Sequence, residues 1–148
     1  MFTTILIKSS ICEESVETGD RCYYLLTKNA TFAEAKQLCR TLHSTARLLS
    51  IESKEEQEYV LIALPINIKD MKGGAWIGLQ FDAKLKKAVW DSGLPAKYYN
   101  WPKSQSNQTM KKTDCIRMST NTKSLGVWDK HDCKKQLSVV CQVFESKL

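Results

Sequence analysis

The chain has 148 residues, of which 43% are hydrophobic and 26% charged, and its formal net charge is +6. This length and composition are typical of one globular domain and exclude an intrinsically disordered chain. The excess charge lies in residues 71–148, which carry 14 basic and 6 acidic side chains, against 8 and 10 in residues 1–70. A basic half attracts anionic partners, but no nucleic-acid-binding motif is present, so nucleic acid is not expected as a partner.

The chain begins with a short apolar run, FTTILI at residues 2–7, which Lys8 ends. A signal-peptide core takes about 7–15 apolar residues and a membrane span about 20, so the run predicts neither and favours an edge strand. Two interpretations of the chain start stay open. The chain is a piece of a longer protein with its own targeting segment, or Met1 begins an atypical product.

Aromatic residues at 21–26 (RCYYLL) predict a strand, and residues 12–22 predict a hairpin that leads into it. A helix follows. Thr31 and Glu34 have the spacing of a capping box, in which each side chain bonds to the backbone of the other residue. Apolar side chains then recur at helical spacing to about Leu42, which predicts a helix with one buried face.

A short buried strand is predicted at residues 47–51 (RLLSI), and a second helix follows it. Ser53 and Glu56 form another capping-box pattern, and Pro65 is expected to end the helix because proline lacks an amide hydrogen. Its predicted inward face consists of Tyr59, Val60, Ala63 and Leu64. The first half of the chain therefore reads as strand, helix, strand, helix.

The second half has short strands and one long irregular segment. Residues 75–80 (AWIGLQ) and 87–90 (KAVW) predict strands, and residues 91–114 have little periodicity. A loop of this length within a compact domain is usually functional. The chain then closes with three predicted strands, at residues 115–118, 127–128 and 137–143.

The six cysteines occupy positions 12, 22, 39, 115, 133 and 141. None forms a C-x-x-C pair, so the spacing of a zinc ribbon or a thioredoxin-like redox motif is lacking. An even number of cysteines in a short chain indicates disulfides formed in an oxidising compartment, although their pairing stays open. Glycosylation sequons at Asn29 and Asn107 agree with an extracellular glycoprotein.

Five motifs occur in an order that resembles the C-type lectin-like domain over residues 12–144. They are Trp76-Ile77-Gly78-Leu79, Trp90-Asp91-Ser92-Gly93, Asn100-Trp101-Pro102, Thr113-Asp114-Cys115 and Val127-Trp128-Asp129. The resemblance implies an α+β fold in which two helices flank small antiparallel sheets, beside a long irregular loop region. It also implies a domain at 12–144, with an N-terminal extension at 1–11 and a C-terminal tail at 145–148.

The family pattern further implies three disulfides. The implied pairs are Cys12–Cys22, Cys39–Cys141 and Cys115–Cys133, of which the first marks the long form of the domain. Trp76, Trp90 and Trp101 are expected to fill the core beneath the long loop rather than to contact ligand.

Sugar-binding members of this family hold a calcium ion in the long loop, and that site departs from the family pattern here. The usual Glu-Pro-Asn or Gln-Pro-Asp triplet is Gln105-Ser106-Asn107, Thr113 replaces a glutamate, and Asp129-Lys130 replaces Asn-Asp. Loss of the proline removes the cis peptide that aims the flanking carbonyls, because a cis bond without proline costs ~3–4 kcal/mol. Lys130 offers no lone pair and repels a cation.

Calcium is therefore disfavoured, and no cofactor is expected. Of the donors that remain, only Asp129 carries charge, whereas calcium takes about six to eight oxygen ligands. Asn107 is also a sequon acceptor, and a glycan attached there would cover the site.

The resemblance implies an extracellular recognition domain, either secreted or part of a membrane protein. Calcium-independent binding of a protein or a polyanionic glycan through the long-loop face is expected, with Lys103 and Lys123 near that face. The candidate ligand-binding residues are Gln105, Asn107, Lys111, Lys112, Asp129 and Lys130. The alternative is a calcium-dependent carbohydrate-binding lectin that uses the atypical Gln105-Ser106-Asn107 motif. Assembly as a homodimer stays open.

Enzymatic activity is not expected. The chain has two histidines, His43 and His131, and no nucleophile-elbow or metalloprotease motif. His131 and Asp132 are adjacent in sequence, which does not require their side chains to meet. No residue is therefore assigned a catalytic role.

Overall fold

The computed structural model describes residues 6–15, 19–64, 71–105 and 109–145. It contains two α-helices, α1 (Phe32–Leu42) and α2 (Lys54–Ala63). The strands are β1 (Ile7–Ser15), β2 (Gly19–Leu26), β3 (Arg47–Leu48), β4 (Ala75–Trp76), β5 (Leu79–Asp82), β6 (Lys87–Trp90), β7 (Cys115–Met118), β8 (Trp128–His131) and β9 (Ser138–Glu145). The predicted α+β class is confirmed. None of the helices in these ranges is long and apolar enough to cross a membrane.

The main sheet has the strand order β1-β2-β9-β4-β7-β8, and β3 pairs with β9 beside this path. Strands β5 and β6 form a separate antiparallel hairpin. The pairing of β4 with β9 is parallel, whereas the sequence led us to expect antiparallel sheets. A parallel pair needs a long crossover, and the segment between these two strands is long enough to provide it.

The hairpin predicted at residues 12–22 is present as β1 and β2, with Cys12 opposite Cys22. Strand β1 begins at Ile7, the last residue of the edge strand predicted at residues 2–7, and it lies at the edge of the sheet. Residues 1–5 lie outside the described residues. Strand β1 thus starts five residues before the expected domain boundary at Cys12.

Helix α1 begins with the predicted capping box. The Thr31 hydroxyl accepts from the Glu34 amide, and the Glu34 carboxylate accepts from the Thr31 amide at 3.0 Å. These two bonds satisfy amides that have no partner within the helix. Phe32, Ala35 and Cys39 form the buried face.

Helix α2 differs from the prediction at its cap and on its inward face. Ser53 caps it as expected, but the Glu56 carboxylate accepts from the Glu52 amide at 2.7 Å and does not complete a reciprocal box. Gln57 faces the core, where its amide oxygen accepts a hydrogen bond from an indole, while Tyr59 is only half-buried. Pro65, the predicted helix end, lies outside the described residues.

Two predicted strands are shorter than expected. Residues 75–80 form two strands, because between them the Gly78 amide turns to donate to the Leu49 carbonyl at 2.8 Å. A side chain at Gly78 would place its Cβ 2.9 Å from the Cβ of Asp91, so this close approach requires glycine. Strand β3 ends at Leu48, and the Ser50 amide then bonds to the Gln142 side chain at 2.9 Å.

The three disulfides are Cys12–Cys22, Cys39–Cys141 and Cys115–Cys133, the pairs that the family resemblance implies. Cys39–Cys141 joins α1 to the central strand β9 across 102 residues of sequence. Closing a loop of this length stabilises the folded state by roughly 4–5 kcal/mol on the chain-entropy estimate.

The core is centred on three tryptophans that are fully buried, Trp76, Trp90 and Trp128. The indole N–H of Trp76 donates to the Ala30 carbonyl at 2.9 Å, so this buried donor is satisfied. Trp101, which was expected to fill the core, is half-buried and packs against it.

Candidate ligand-binding site

The long segment that follows β6 is fixed where it begins. The Asp91 carboxylate accepts two hydrogen bonds from the Arg40 guanidinium, at 2.9 and 3.1 Å, and a third from the Leu48 amide. A paired, hydrogen-bonded carboxylate is the form in which a buried charge is tolerated. Asp91 therefore ties the start of the loop to α1 and β3.

The middle of the segment is held by an aromatic cluster around Trp128, the first residue of β8. Four rings lie against this indole with centroid distances of 5.5–6.5 Å, those of Trp90, Tyr98, Tyr99 and Trp101. The indole N–H donates to Gln57 at 2.8 Å, and the Trp128 amide donates to the Asn100 carbonyl at 2.9 Å. The described part of the loop thus has a fixed attachment to the core.

Lys130 is held by internal partners next to the loop end. Its ammonium lies 3.1 Å from a carboxylate oxygen of Asp114 and donates to the Thr109 carbonyl at 2.7 Å. The same carboxylate oxygen accepts from the Lys111 amide at 2.7 Å. The Lys130 ammonium, which is predicted to repel calcium, therefore cross-links β8 to the end of the loop that precedes β7.

Asp129 is paired as well. Its two carboxylate oxygens accept from the Arg117 guanidinium at 2.7 and 3.3 Å, across the β7–β8 pair in which the two residues are opposite. Arg117 also donates to the Gly73 carbonyl at 2.7 Å. Bidentate pairs of this kind are among the stronger polar contacts in proteins.

The other predicted site residues are distributed along the same loop. Gln105 is exposed at the end of a short 3₁₀ helix, Lys103–Gln105, and Lys111 and Lys112 are exposed before β7. Asn107, predicted both as a ligand and as a glycosylation site, lies outside the described residues, whereas the second predicted glycosylation site, Asn29, is exposed before α1.

The donors that the structure describes do not fit calcium. Asp129 is bound to a guanidinium, and the Lys130 ammonium stands where the family supplies a second carboxylate. Freeing Asp129 for a metal would leave the Arg117 charge without its partner, which is costly for a half-buried pair. Within the described ranges, no cluster of three or more histidine, cysteine or acidic residues that could hold a metal is present.

Sequence reasoning missed a cavity of about 420 Å³ beside the Arg117–Asp129 pair, close to the 119–124 loop. Its lining includes the hydroxyls of Ser119, Thr120 and Ser124. The opposite charges of Arg117 and Asp129 are compatible with an ion pair, but only the β7–β8 register shows that these two positions are opposite each other.

His131 has no catalytic arrangement with its neighbour. Its ring lies against the Trp76 indole at 5.9 Å, while the Asp132 carboxylate accepts from the Lys134 amide at 2.9 Å. Burial lowers the pKa of His131 below its usual range, and the Arg117 charge lowers it further.

The lectin C-type domain profile matches residues 28–143. The chain is 32% identical over 135 residues to the low affinity immunoglobulin epsilon Fc receptor of Mus musculus, and the matched region covers 90% of this chain and 37% of the receptor. The chain therefore spans well under half of that relative's length. A snaclec from Protobothrops flavoviridis, one chain of its coagulation factor IX/factor X-binding protein, is 30% identical over 123 residues, covering 82% of this chain and 76% of the snaclec.

Solved structures with the same fold include human lithostathine, with a TM-score of 0.74 at 21% identity, covering 93% of this chain and 98% of lithostathine. The carbohydrate-recognition domain of cow CD23, solved in the presence of a GlcNAc2Man3 oligosaccharide, has a TM-score of 0.62 at 28% identity and covers 86% and 90% of the two chains. The C-type lectin fold implied by the sequence motifs is confirmed.

Proposed function

The chain belongs to the lectin C-type domain family, and on that premise we propose that it binds a protein or a polyanionic glycan without calcium, through its long-loop face. This face comprises the described parts of residues 91–114 and the adjoining strand β8. We further propose an extracellular location, either secreted or as part of a membrane protein. The recognition domain would cover residues 12–144, between an N-terminal extension (1–11) and a C-terminal tail (145–148).

One observation carries the calcium-independent part of the proposal. Both charged residues at the family's calcium position are engaged in ion pairs, Asp129 with Arg117 and Lys130 with Asp114. Binding a cation there would break one pair and oppose the charge of Lys130. The ammonium already cross-links the loop to β8, a connection that a metal ion could otherwise supply.

The charge of the face supports an anionic partner. Lys103, Lys111 and Lys112 on this face and Lys123 near it are exposed, and their ammonium groups have no ion-pair partner among the described residues. Unpaired ammonium groups raise the local concentration of anions and can bind sulfate or carboxylate groups directly. The proposed contact residues are Gln105, Asn107, Lys111, Lys112, Asp129 and Lys130.

Two relatives support a protein ligand. The Fc receptor and the snaclec are named for protein ligands, an immunoglobulin and coagulation factors IX and X. Another structure of this fold is a complex of SPL-1 with GlcNAc, a neutral sugar, and it supports the alternative of a carbohydrate-binding lectin. The snaclec is also named as one part of a larger assembly, and homodimerisation is proposed here on the same basis.

Binding to immobilised heparin, measured with calcium chloride and again with EDTA, tests the proposal. We expect equal affinity in the two buffers and a steep loss of affinity as sodium chloride rises, because salt screens these contacts. The variant K8A/K54A, which removes two exposed lysines from β1 and α2, should bind like the wild type. Binding to a neutral sugar that disappears in EDTA would establish the calcium-dependent lectin instead.

A further inference from the structure

A groove of about 630 Å³ lies between the start of α1, strand β5 and the two chain segments joined by Cys115–Cys133. It is separate from the Arg117–Asp129 pair and from the cavity beside that pair. Lys36, Gln80, Phe81, Lys112, Thr113 and Lys134 are among its lining residues. Grooves of this size are typical of sites for small ligands or for part of a larger ligand.

The groove carries net positive charge. Lys112 and Lys134 are exposed, and neither ammonium has an ion-pair partner among the described residues. Lys36 is half-buried at the wall, where its ammonium donates to the Gln80 side-chain oxygen at 2.9 Å. The carboxylate in the lining, Asp114, is paired with Lys130. The groove is thus lined by three lysines and one carboxylate, and Lys130 already compensates the charge of that carboxylate.

The polar groups of the groove are mostly donors. The Gln80 oxygen is occupied by Lys36, which leaves the Gln80 NH2 group as the donor end of that amide. The Asp114 carboxylate accepts from both Lys130 and the Lys111 amide through the same oxygen, and Lys130 compensates its charge. The lysine ammonium groups and the Gln80 NH2 group therefore favour a ligand with several acceptors.

Aromatic side chains supply the apolar part of the groove. Phe81 is half-buried in the lining, and Phe32 lies beneath the Lys36 ammonium, which is 4.9 Å from its ring centroid. A half-buried ring leaves apolar surface on which the flat, C–H-rich face of a sugar ring can pack. The lysines around it would then bind substituents on the ring edge.

We propose that this groove binds one or two sulfated or carboxylated sugar rings of a polyanionic glycan. The assignment deepens the proposed function and depends on it, because it selects the glycan from the two ligand classes and locates its anionic groups. An acidic peptide fits less well, since an extended backbone offers no flat, C–H-rich face to the half-buried Phe81 ring. Lys112 and Lys134 would contact the sulfate or carboxylate groups, and Phe81 would contact the ring.

The test is a titration of ¹⁵N-labelled protein with a sulfated heparin tetrasaccharide, followed by amide chemical shifts and calorimetry. We expect shifts at Phe81, Lys112 and Lys134, and an affinity reduced about tenfold or more in K112A/K134A. The variant K112R/K134R, which keeps both charges, should retain binding. The control K8A/K54A removes the same charge elsewhere and should bind like the wild type.

The outcomes separate this inference from the proposed function. If K112A/K134A binds the tetrasaccharide normally while K103A/K123A is impaired, the groove assignment and the role of Lys112 are wrong, whereas glycan binding by the rest of the long-loop face stands. If wild-type protein binds a poly-glutamate peptide but not the tetrasaccharide, the ligand class is wrong. If the wild type binds neither probe, the groove assignment and the polyanion form of the proposed function are both overturned.

Discussion

Replacing Lys130 with methionine removes an ammonium group that cross-links β8 to the loop end while keeping most of the aliphatic chain. The charged hydrogen bond to the Thr109 carbonyl is worth about 1.5 kcal/mol. The pair with Asp114 adds about 0.5–1 kcal/mol, because the side chains are 35% and 17% exposed and solvent screens them. We expect K130M to lose about 2 kcal/mol of unfolding free energy and to lower Tm by about 4–8 °C.

Chemical denaturation of K130M, D114N and the double variant measures the pair term directly. The double-mutant cycle should give a coupling of about 0.5–1 kcal/mol between Lys130 and Asp114. K111M is the matched control, since the Lys111 ammonium is exposed, and its cost should stay within about 0.5 kcal/mol. A K130M variant as stable as K111M, together with zero coupling, would refute the claim that Lys130 cross-links β8 to the loop end.

Three further predictions concern other parts of the molecule. C39A/C141A should lose roughly 4–5 kcal/mol of unfolding free energy, and a loss below about 1 kcal/mol would contradict the loop-closure argument. By NMR, the pKa of His131 should lie below the ordinary histidine value, because burial disfavours the charged ring. The contribution of the neutral ring to the free energy of unfolding is therefore fully present above about pH 6.5 and is lost as the pH falls through the folded pKa. A raised pKa would contradict burial as the cause. The five-residue variant S106P/N107D/T113E/D129N/K130D, which restores the family pattern, should gain calcium affinity in calorimetry. No gain would contradict the assignment of the lost calcium site to these positions.

Local chemistry was the most predictable part of the fold. The capping box of Thr31 and Glu34 formed as expected, because its bonds join residues three positions apart. The cap of α2 departed from its pattern because Glu56 found a different amide, that of Glu52, and has an ion pair with Arg21. The partners of such a side chain depend in part on residues far away in sequence, as Arg21 is from Glu56.

The site was predictable in its residue types but not in its pairings. The sequence identified Lys130 as incompatible with calcium, but its partners Asp114 and Thr109 depend on how the loop returns to β7. It offered Asp129 as a remaining ligand, whereas the strand register places Arg117 opposite it. Lys134 was missed because the groove forms only when α1 and the Cys115–Cys133 region come together.

Calorimetric titration of the wild-type protein with calcium chloride tests the central claim most directly. Because Asp129 and Lys130 are both held in ion pairs, we expect no saturable heat beyond dilution at millimolar calcium. A saturable exotherm or endotherm with millimolar or tighter affinity, lost in D129A but not in the exposed control K54A, would contradict calcium-independent recognition.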